Sequence, residues 1–457
     1  MSDDWRPGLA RATGPVYLAI ADAIAADLDS GRLAAGARLP PQRTLAQRLG
    51  IDFTTVSRAY AEARRRGLVE GRVGQGTYVR SAEPPAPRAG PVDLSMNLPP
   101  HFEDAALTAR LWREAGELQA TGLDLLLRYQ EAGGALADRE AGALWLKDRL
   151  PDLDPERVTV CPGAQSALLA VIGTLAAPGD VICAETLTYP GLKALAAQLR
   201  VTLIGLAMDA EGILPEAFDA ACREHPVKAL CCTPTLQNPT TATMSLARRQ
   251  ALAAIARAHA VPIVEDDAYG LLPQDSPPPL AALAPDLTFH IAGLAKHVSP
   301  ALRIAYLVAP DSRSGGKVRA AIRATAAMAS PLTAAVATRW ITGGAAHQVR
   351  DAIRAEARAR QRLAARLLPA RSFAAHPDGF HLWLTLPAGW TRGEFALQLR
   401  ASGLGVVVSD AFATAPGPPE AVRVGLGGPA SRAQIERALT AIADTLDGAP
   451  LMTSAAV

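Results

Sequence analysis

The sequence predicts a multidomain α/β protein. A small N-terminal domain of three helices and a β-hairpin precedes a large, mainly parallel sheet flanked by helices, with a smaller α/β domain at the C-terminus. Three observations carry that expectation. Residues 1–80 are basic, with twelve Arg against eight Asp and Glu; the chain totals of 46 and 44 leave 34 against 36 for the remainder. A Pro/Ala-rich stretch at residues 81–92, "SAEPPAPRAGPV", interrupts every apolar period. Beyond about residue 155, short apolar runs alternate with helical stretches, which argues for parallel strands with ligands gathered at their carboxyl ends.

The bulk numbers fit a chain of several domains: 457 residues, 49% hydrophobic and 20% charged. A basic head on a near-neutral body points to nucleic acid as a partner. Five cysteines without CxxC or Cys/His spacing read as buried thiols of a reducing compartment. The start "MSDDWRPG" is acidic where a signal peptide is basic. No apolar run approaches the roughly 20 residues of a membrane helix. A cytoplasmic location without a membrane partner is expected.

Within residues 1–80, "GPVYLAIADAIAADLDSGRL" sets Val16, Ile20, Ile24 and Leu28 on one face of a first helix ended near Gly31. "LPPQRTLAQRLG" gives a second, shorter helix stopped by Gly50. "DFTTVSRAYAEARRRGLV" gives a third, with Val56 and Tyr60 inward and Thr54, Thr55, Ser57 and Arg58 outward. "VEGRVGQGTYVR" reads as a glycine-tipped hairpin. This is the layout of a winged helix-turn-helix, whose third helix lies in the major groove; a helical cap with a surface arginine run is the plainer alternative. The run "G-x-RLP-x-x-R-x-LA-x-x-LG…TV-x-x-AY…G-x-GT-x-V" resembles the DNA-binding domain of GntR-type regulators. The resemblance implies double-stranded promoter or operator DNA as partner. It implies contacts from Arg43, from Thr54, Thr55, Ser57 and Arg58 on the third helix, and from Gly76 at the wing. Asp52 and Phe53 depart from it, standing where a small hydroxyl residue and an arginine are usual. Phe53 reads either as a contact to a thymine methyl or as part of the small core, and the core is the expectation. Residues 81–92 are then a semi-extended linker.

In the body, residues 93–345 are expected to form the large domain, with chemistry-bearing residues directly after the apolar runs. After "TVCPG", Gly163, Ala164 and Gln165 begin a helix whose free amides suit a phosphate, or simply start a helix. After "ALCCTP" comes Asn238-Pro239, by itself a turn signal. "VPIVEDDAYG" crowds three acids at a strand end with Tyr269 three residues past Asp266. Carboxylates there need partners, since burying them alone is costly; a metal site lacks nearby histidines, and none is expected. After "TFHIAGLA" comes Lys296, one of five lysines. A desolvated lysine has a lowered pKa and attacks carbonyls; a solvated loop lysine is the ordinary reading.

Taken in order, these residues resemble the fold-type I aminotransferases, which bind pyridoxal 5′-phosphate (PLP), from about Tyr129 to Arg423. The resemblance makes Lys296 the catalytic residue that forms the Schiff base with the cofactor. It pairs Asp266 with the pyridinium nitrogen, sets Tyr269 and Asn238 on the phenolic oxygen and stacks Tyr189 on the ring. Ala164, Gln165 and Arg303 would hold the phosphate, joined by Tyr129 from the second subunit of a dimer. Arg423, in "AVRVGLG", would clamp a substrate carboxylate, unless it pairs with an acid of the protein itself. Gly293 and Ala295 stand where hydroxyl residues are usual, and Asp138-Arg139 where Leu-Arg is. Residues 346–446 open with an arginine-rich helix, read as a solvated amphipathic connector, and form the small C-terminal domain; the tail 447–457 is expected to be disordered.

The two halves together resemble MocR-type transcription regulators over the whole chain. That implies a head-to-tail homodimer, DNA binding through the N-terminal domain, and sensing of an amine or amino-acid effector by Schiff-base exchange at Lys296. A working PLP-dependent aminotransferase with an accessory DNA-binding head is the alternative, and a DNA-binding module on an inert scaffold a third.

Overall fold

In the computed structural model, residues 5–8, 14–34, 36–72, 76–79 and 92–448 are described. Most of the linker, the wing tip at 73–75 and the tail beyond 448 lie outside the described residues. Two units are distinguished, Met1–Gly90 and Pro91–Val457.

The first unit is built on α1 (Val16–Asp29), α2 (Gln42–Leu49) and α3 (Phe53–Arg65). Gly50, at φ 63°, ends α2. Asp52 caps α3, its carboxylate accepting from Thr54 N. The strands β1 (Val69–Arg72) and β2 (Gly76–Val79) pair antiparallel, and residues 37–39 add to β2 through Leu39 N to Thr77 O (2.9 Å) and Val79 N to Ala37 O (2.8 Å). Ile20, Ile24, Leu45, Val56, Tyr60, Val69 and Val79 close a small core, and Tyr60 Oη donates to Pro40 O at 2.7 Å.

Val16, on the helix face of Ile20 and Ile24, is 42% exposed. One expectation fails here. Phe53 shares the helical stripe of Val56 and Tyr60, yet it is 44% exposed. The stripe outruns its packing partners at the first turn of α3; what lies near the ring is the Arg43 guanidinium, 5.9 Å from its centroid.

The second unit starts with β3 (Val92–Asp93). Its main sheet comprises β4 (Val158–Cys161), β5 (Val181–Glu185), β6 (Thr202–Leu206), β9 (Val227–Cys232), β10 (Ile263–Asp266), β11 (Thr288–Gly293) and β12 (Ala305–Val308), while β7 (Met208–Asp209) and β8 (Gly212–Ile213) form a hairpin apart. The strand order is β4-β12-β11-β10-β9-β5-β6. The run β11-β10-β9-β5-β6 is parallel, whereas β12 pairs antiparallel with both β11 and β4. Both faces are covered, which explains the continuous apolar runs. Helices Ala164–Leu175 and Ser312–Thr325 bury Leu168, Val171, Val318 and Ile322 on one side; Trp145, Tyr306, Ile341 and Ile353 fill the other.

A four-stranded sheet of β13 (Phe373–Ala375), β14 (His381–Thr385), β16 (Val407–Val408) and β17 (Ala421–Gly425) forms the C-terminal part. The body's opening segment packs with it. β3 pairs with β15 (Leu404–Gly405), Gly425 N donates to Leu94 O (2.8 Å), and His101 N donates to Gly428 O (3.0 Å). The arginine-rich helix Ala345–Leu367 is more than a solvated connector. Arg360 is buried at 1% exposure, bound to Glu356 Oε1 (2.8 Å) and to the carbonyls of Leu426 (2.8 Å) and Ala430 (2.7 Å). Among the described residues, no helix is long and apolar enough to cross a membrane.

Candidate functional site

The sheet topology gathers the candidate residues on one edge. Cys161, Gly293 and Ala305 lie level in the pairing register. Because β12 runs against its neighbours, its beginning meets the ends of β4 and β11. Arg303, two residues before β12, therefore comes to the loop after β4, its guanidinium 3.3 Å from where a Cβ on Gly163 would stand. Gly163 has φ 87°, a conformation that favours glycine, and it caps the helix Ala164–Leu175. The first amides of that helix have no acceptor inside it. The Gln165 side chain donates one of its two Nε2 protons to Gly191 O at 3.1 Å; its backbone N–H is at the helix start. A Cβ on Gly293 would meet the Ala164 Cβ at 3.5 Å and nothing closer.

The three acids at the end of β10 have separate roles. Glu265 accepts from the amides of Leu280 and Ala281 (both 2.9 Å) and faces His290 Nδ1 at 3.1 Å. Asp267 pairs with Arg149 at 3.2 Å, which holds its carboxyl low despite burial. Asp266 is different: its Oδ1 is buried without a hydrogen-bond partner. Burial, then Asp267 and Glu185, push its pKa up to about 7. Glu185, at the end of β5, is raised to about 7 by burial.

Lys296 follows β11 in a single 3₁₀ turn, Leu294–Lys296. Its Nζ donates to Asn97 O and lies 6.0 Å from the Tyr269 ring centroid. Burial, reinforced by Arg423, lowers its pKa to about 8, against the pull of Asp266. Tyr269 is buried, accepts at its hydroxyl from Asn97 Nδ2 (2.8 Å), and has its pKa raised by burial. Arg423, on β17, donates from Nη1 to Asn238 Oδ1 at 2.8 Å and from Nη2 to Ser95 O. Its plane sits 5.0 Å from the Phe412 ring, and its Nε is buried without a partner. Among the described residues, no carboxylate forms an ion pair with it. Tyr189 folds over Gly191, where a Cβ would stand 2.2 Å from Tyr189 Cε1. Its hydroxyl pKa is raised by burial and then by Asp266. Tyr129 is away from this group and 89% exposed.

Two residues of the cluster had no sequence signal. Asn97 comes from the segment after β3, and its Nδ2 also meets His381 Nδ1 at 3.2 Å. His381, at the start of β14, is fully buried and driven to about 3, so it is a neutral ring. Neither stands in a strand-end motif; each arrives through long-range packing.

In the head, Arg43 is exposed on the first turn of α2. Thr54 is exposed, but its hydroxyl donates to Asp52 Oδ1 at 2.5 Å. Thr55 and Ser57 are half-buried. Arg58 is exposed and lies over Tyr17, 4.4 Å from the ring centroid. Gly76 opens β2 at φ 111°, with the exposed Arg38 beside it, a residue the sequence reading passed over.

The body's cluster fits PLP on its donor set. A buried carboxylate oxygen lacks a partner, a lysine is lowered by burial, and a helix start stands beside an arginine. Comparison with known proteins agrees. The aminotransferase class I and II family matches residues 89–442, and the gntR family of bacterial regulatory proteins matches residues 16–79. The HTH-type transcriptional regulator YdeF of Bacillus subtilis is 28% identical over 97% of this chain and 97% of its own. The vitamin B6 salvage pathway transcriptional repressor PtsJ of Salmonella typhimurium is 27% identical over 80% and 84%. Among solved structures, an archaeal alanine:glyoxylate aminotransferase superposes at TM-score 0.71 with 25% identity, covering 78% of this chain and 91% of its own. The chain belongs to the aminotransferase class I and II family, as a PLP-dependent HTH-type transcriptional regulator with an N-terminal GntR DNA-binding domain.

Proposed function

We propose that this regulator senses a small molecule carrying both an amine and a carboxylate, at the cluster formed by Lys296, Asp266, Tyr269, Asn238 and Arg423. The observation that carries the reading is Arg423: a buried guanidinium whose partners are two neutral oxygens and whose Nε has none. A buried cation without an anion is costly, and an incoming carboxylate relieves that cost.

PLP supplies an aldehyde that condenses with amines and a ring that withdraws electrons. Lys296, lowered to about 8, provides an uncharged amine at moderately alkaline pH. With PLP bound, Asp266 would hold a proton on the ring nitrogen, its free oxygen being the acceptor. Tyr269 and Asn238 would supply hydrogen bonds to the phenolic oxygen, and Tyr189 would cover the ring. Gly163, Ala164, Gln165 and Arg303 would bind the phosphate. Tyr129, exposed in one protomer, reaches the phosphate of its partner, so the site is complete in a head-to-tail homodimer. Arg43, Thr55, Ser57, Arg58 and Gly76 face operator DNA.

Visible absorbance tests the reading. Lys296→Ala loses the cofactor band while staying folded. Arg423→Leu keeps the band but loses its change on adding amino acids. A mutant at Arg423 that responds like the wild type would overturn the carboxylate clamp and favour a simple amine. Turnover of amino acid and keto acid, measured in parallel, would establish the aminotransferase reading, which the assembled Lys296, Asp266 and Tyr269 keep open.

A further inference from the structure

The tip of the recognition helix carries an arrangement unlike a hydrogen-bonding reader. In helix-turn-helix proteins the N-terminal residues of that helix meet the base edges. Here those residues are Phe53 and Thr54. Thr54 has spent its donors, both its amide N (2.7 Å) and its hydroxyl (2.5 Å) going to Asp52 Oδ1, so it has no proton left for a base acceptor. Phe53 is 44% exposed and takes no part in the head's core. The Arg43 guanidinium lies 5.9 Å from the centre of its ring.

Asp52 sharpens the point. Its two hydrogen bonds from Thr54 hold its carboxyl below the ordinary range, so it stays ionised at the helix tip. A guanine edge in the major groove presents two acceptors, N7 and O6, to that carboxylate, whereas a thymine edge presents one, O4, beside a methyl group.

We propose that Phe53 reads thymine 5-methyl groups in the major groove and sets the base preference of the operator. The inference rests on the DNA-binding reading of the head. It makes Phe53 a specificity residue, with Arg43 held alongside for the backbone.

The experiment selects sites from a random duplex library with the full-length protein, then replaces each thymine of the selected site by deoxyuridine, which removes only the methyl. Affinity is measured at fixed salt. The wild type should lose about three- to fivefold at one or two positions of each half-site, the worth of one buried methyl. Phe53→Ala should bind the thymine and uracil sites equally, and Phe53→Leu should keep part of the discrimination. Equal binding of both sites by the wild type would overturn the proposal. So would a Phe53→Ala protein that weakens uniformly but keeps the methyl sensitivity, since Phe53 would then only position Arg43. Failure of the wild type to bind any duplex at low salt would instead remove the DNA-binding reading beneath it.

Discussion

At the scale of single residues, Asp266 has the most informative environment. A carboxyl raised by burial destabilises the fold progressively as pH climbs from the ordinary carboxylate range through about 7, and the loss is complete by about pH 8. Asp266→Asn in the cofactor-free protein should therefore melt a few degrees higher than wild type at about pH 8 and lose that advantage near pH 4. The same change should weaken cofactor binding, so stability and function move in opposite directions. An asparagine variant that melts lower at pH 8 would mean that Asp266 has a protein partner. Lys296, Asp266 and Tyr269 were legible because each stands at or near the end of an apolar run, and Arg423 through the resemblance of the stretch around it. Asn97 and His381 were not, since their place depends on the packing of segments 172 and 284 residues apart from Tyr269 and Asn97 respectively. Phe53 misled for a local reason: helical period tells which side a residue faces, but not whether anything lies beneath it.

At the scale of elements, the register of β4, β12 and β11 builds the phosphate cup. It levels Gly163, Gly293 and Arg303 from three distant stretches, and it does so because β12 is reversed. The cup is short of hydroxyl groups. Gly293 has φ −92° and ψ 147°, which any residue adopts, and a Cβ there would make only ordinary contacts. Gly293→Ser should therefore fold normally and tighten PLP binding roughly fivefold, for one added hydrogen bond of ~1 kcal/mol. Titrating cofactor-free protein by absorbance checks it, and unchanged affinity would show that the cup needs no hydroxyl there. Strand–helix alternation gave away the parallel sheet, but the reversal of β12 left no periodic trace. The two-residue strand β3 is equally silent, being too short to show alternation, and nothing in the sequence announces that the body's first segment hydrogen-bonds to β15 and β17.

At the scale of the molecule, a DNA-binding head and a small-molecule site share one chain. Coupling between two sites is a free energy, and it is reciprocal: if an effector changes DNA affinity by some factor, DNA changes effector affinity by the same factor. The measurement that tests the account most directly is a spectral titration of the PLP-loaded wild type with amino acids, run with and without saturating operator DNA. It is paired with DNA titrations with and without the same amino acid at the same salt. Both titrations should shift by the same factor, and the shift should disappear in Arg423→Leu. An amino acid that binds at the cofactor with the same affinity whether or not DNA is present would contradict it, and the body would then be an enzyme that its head does not consult.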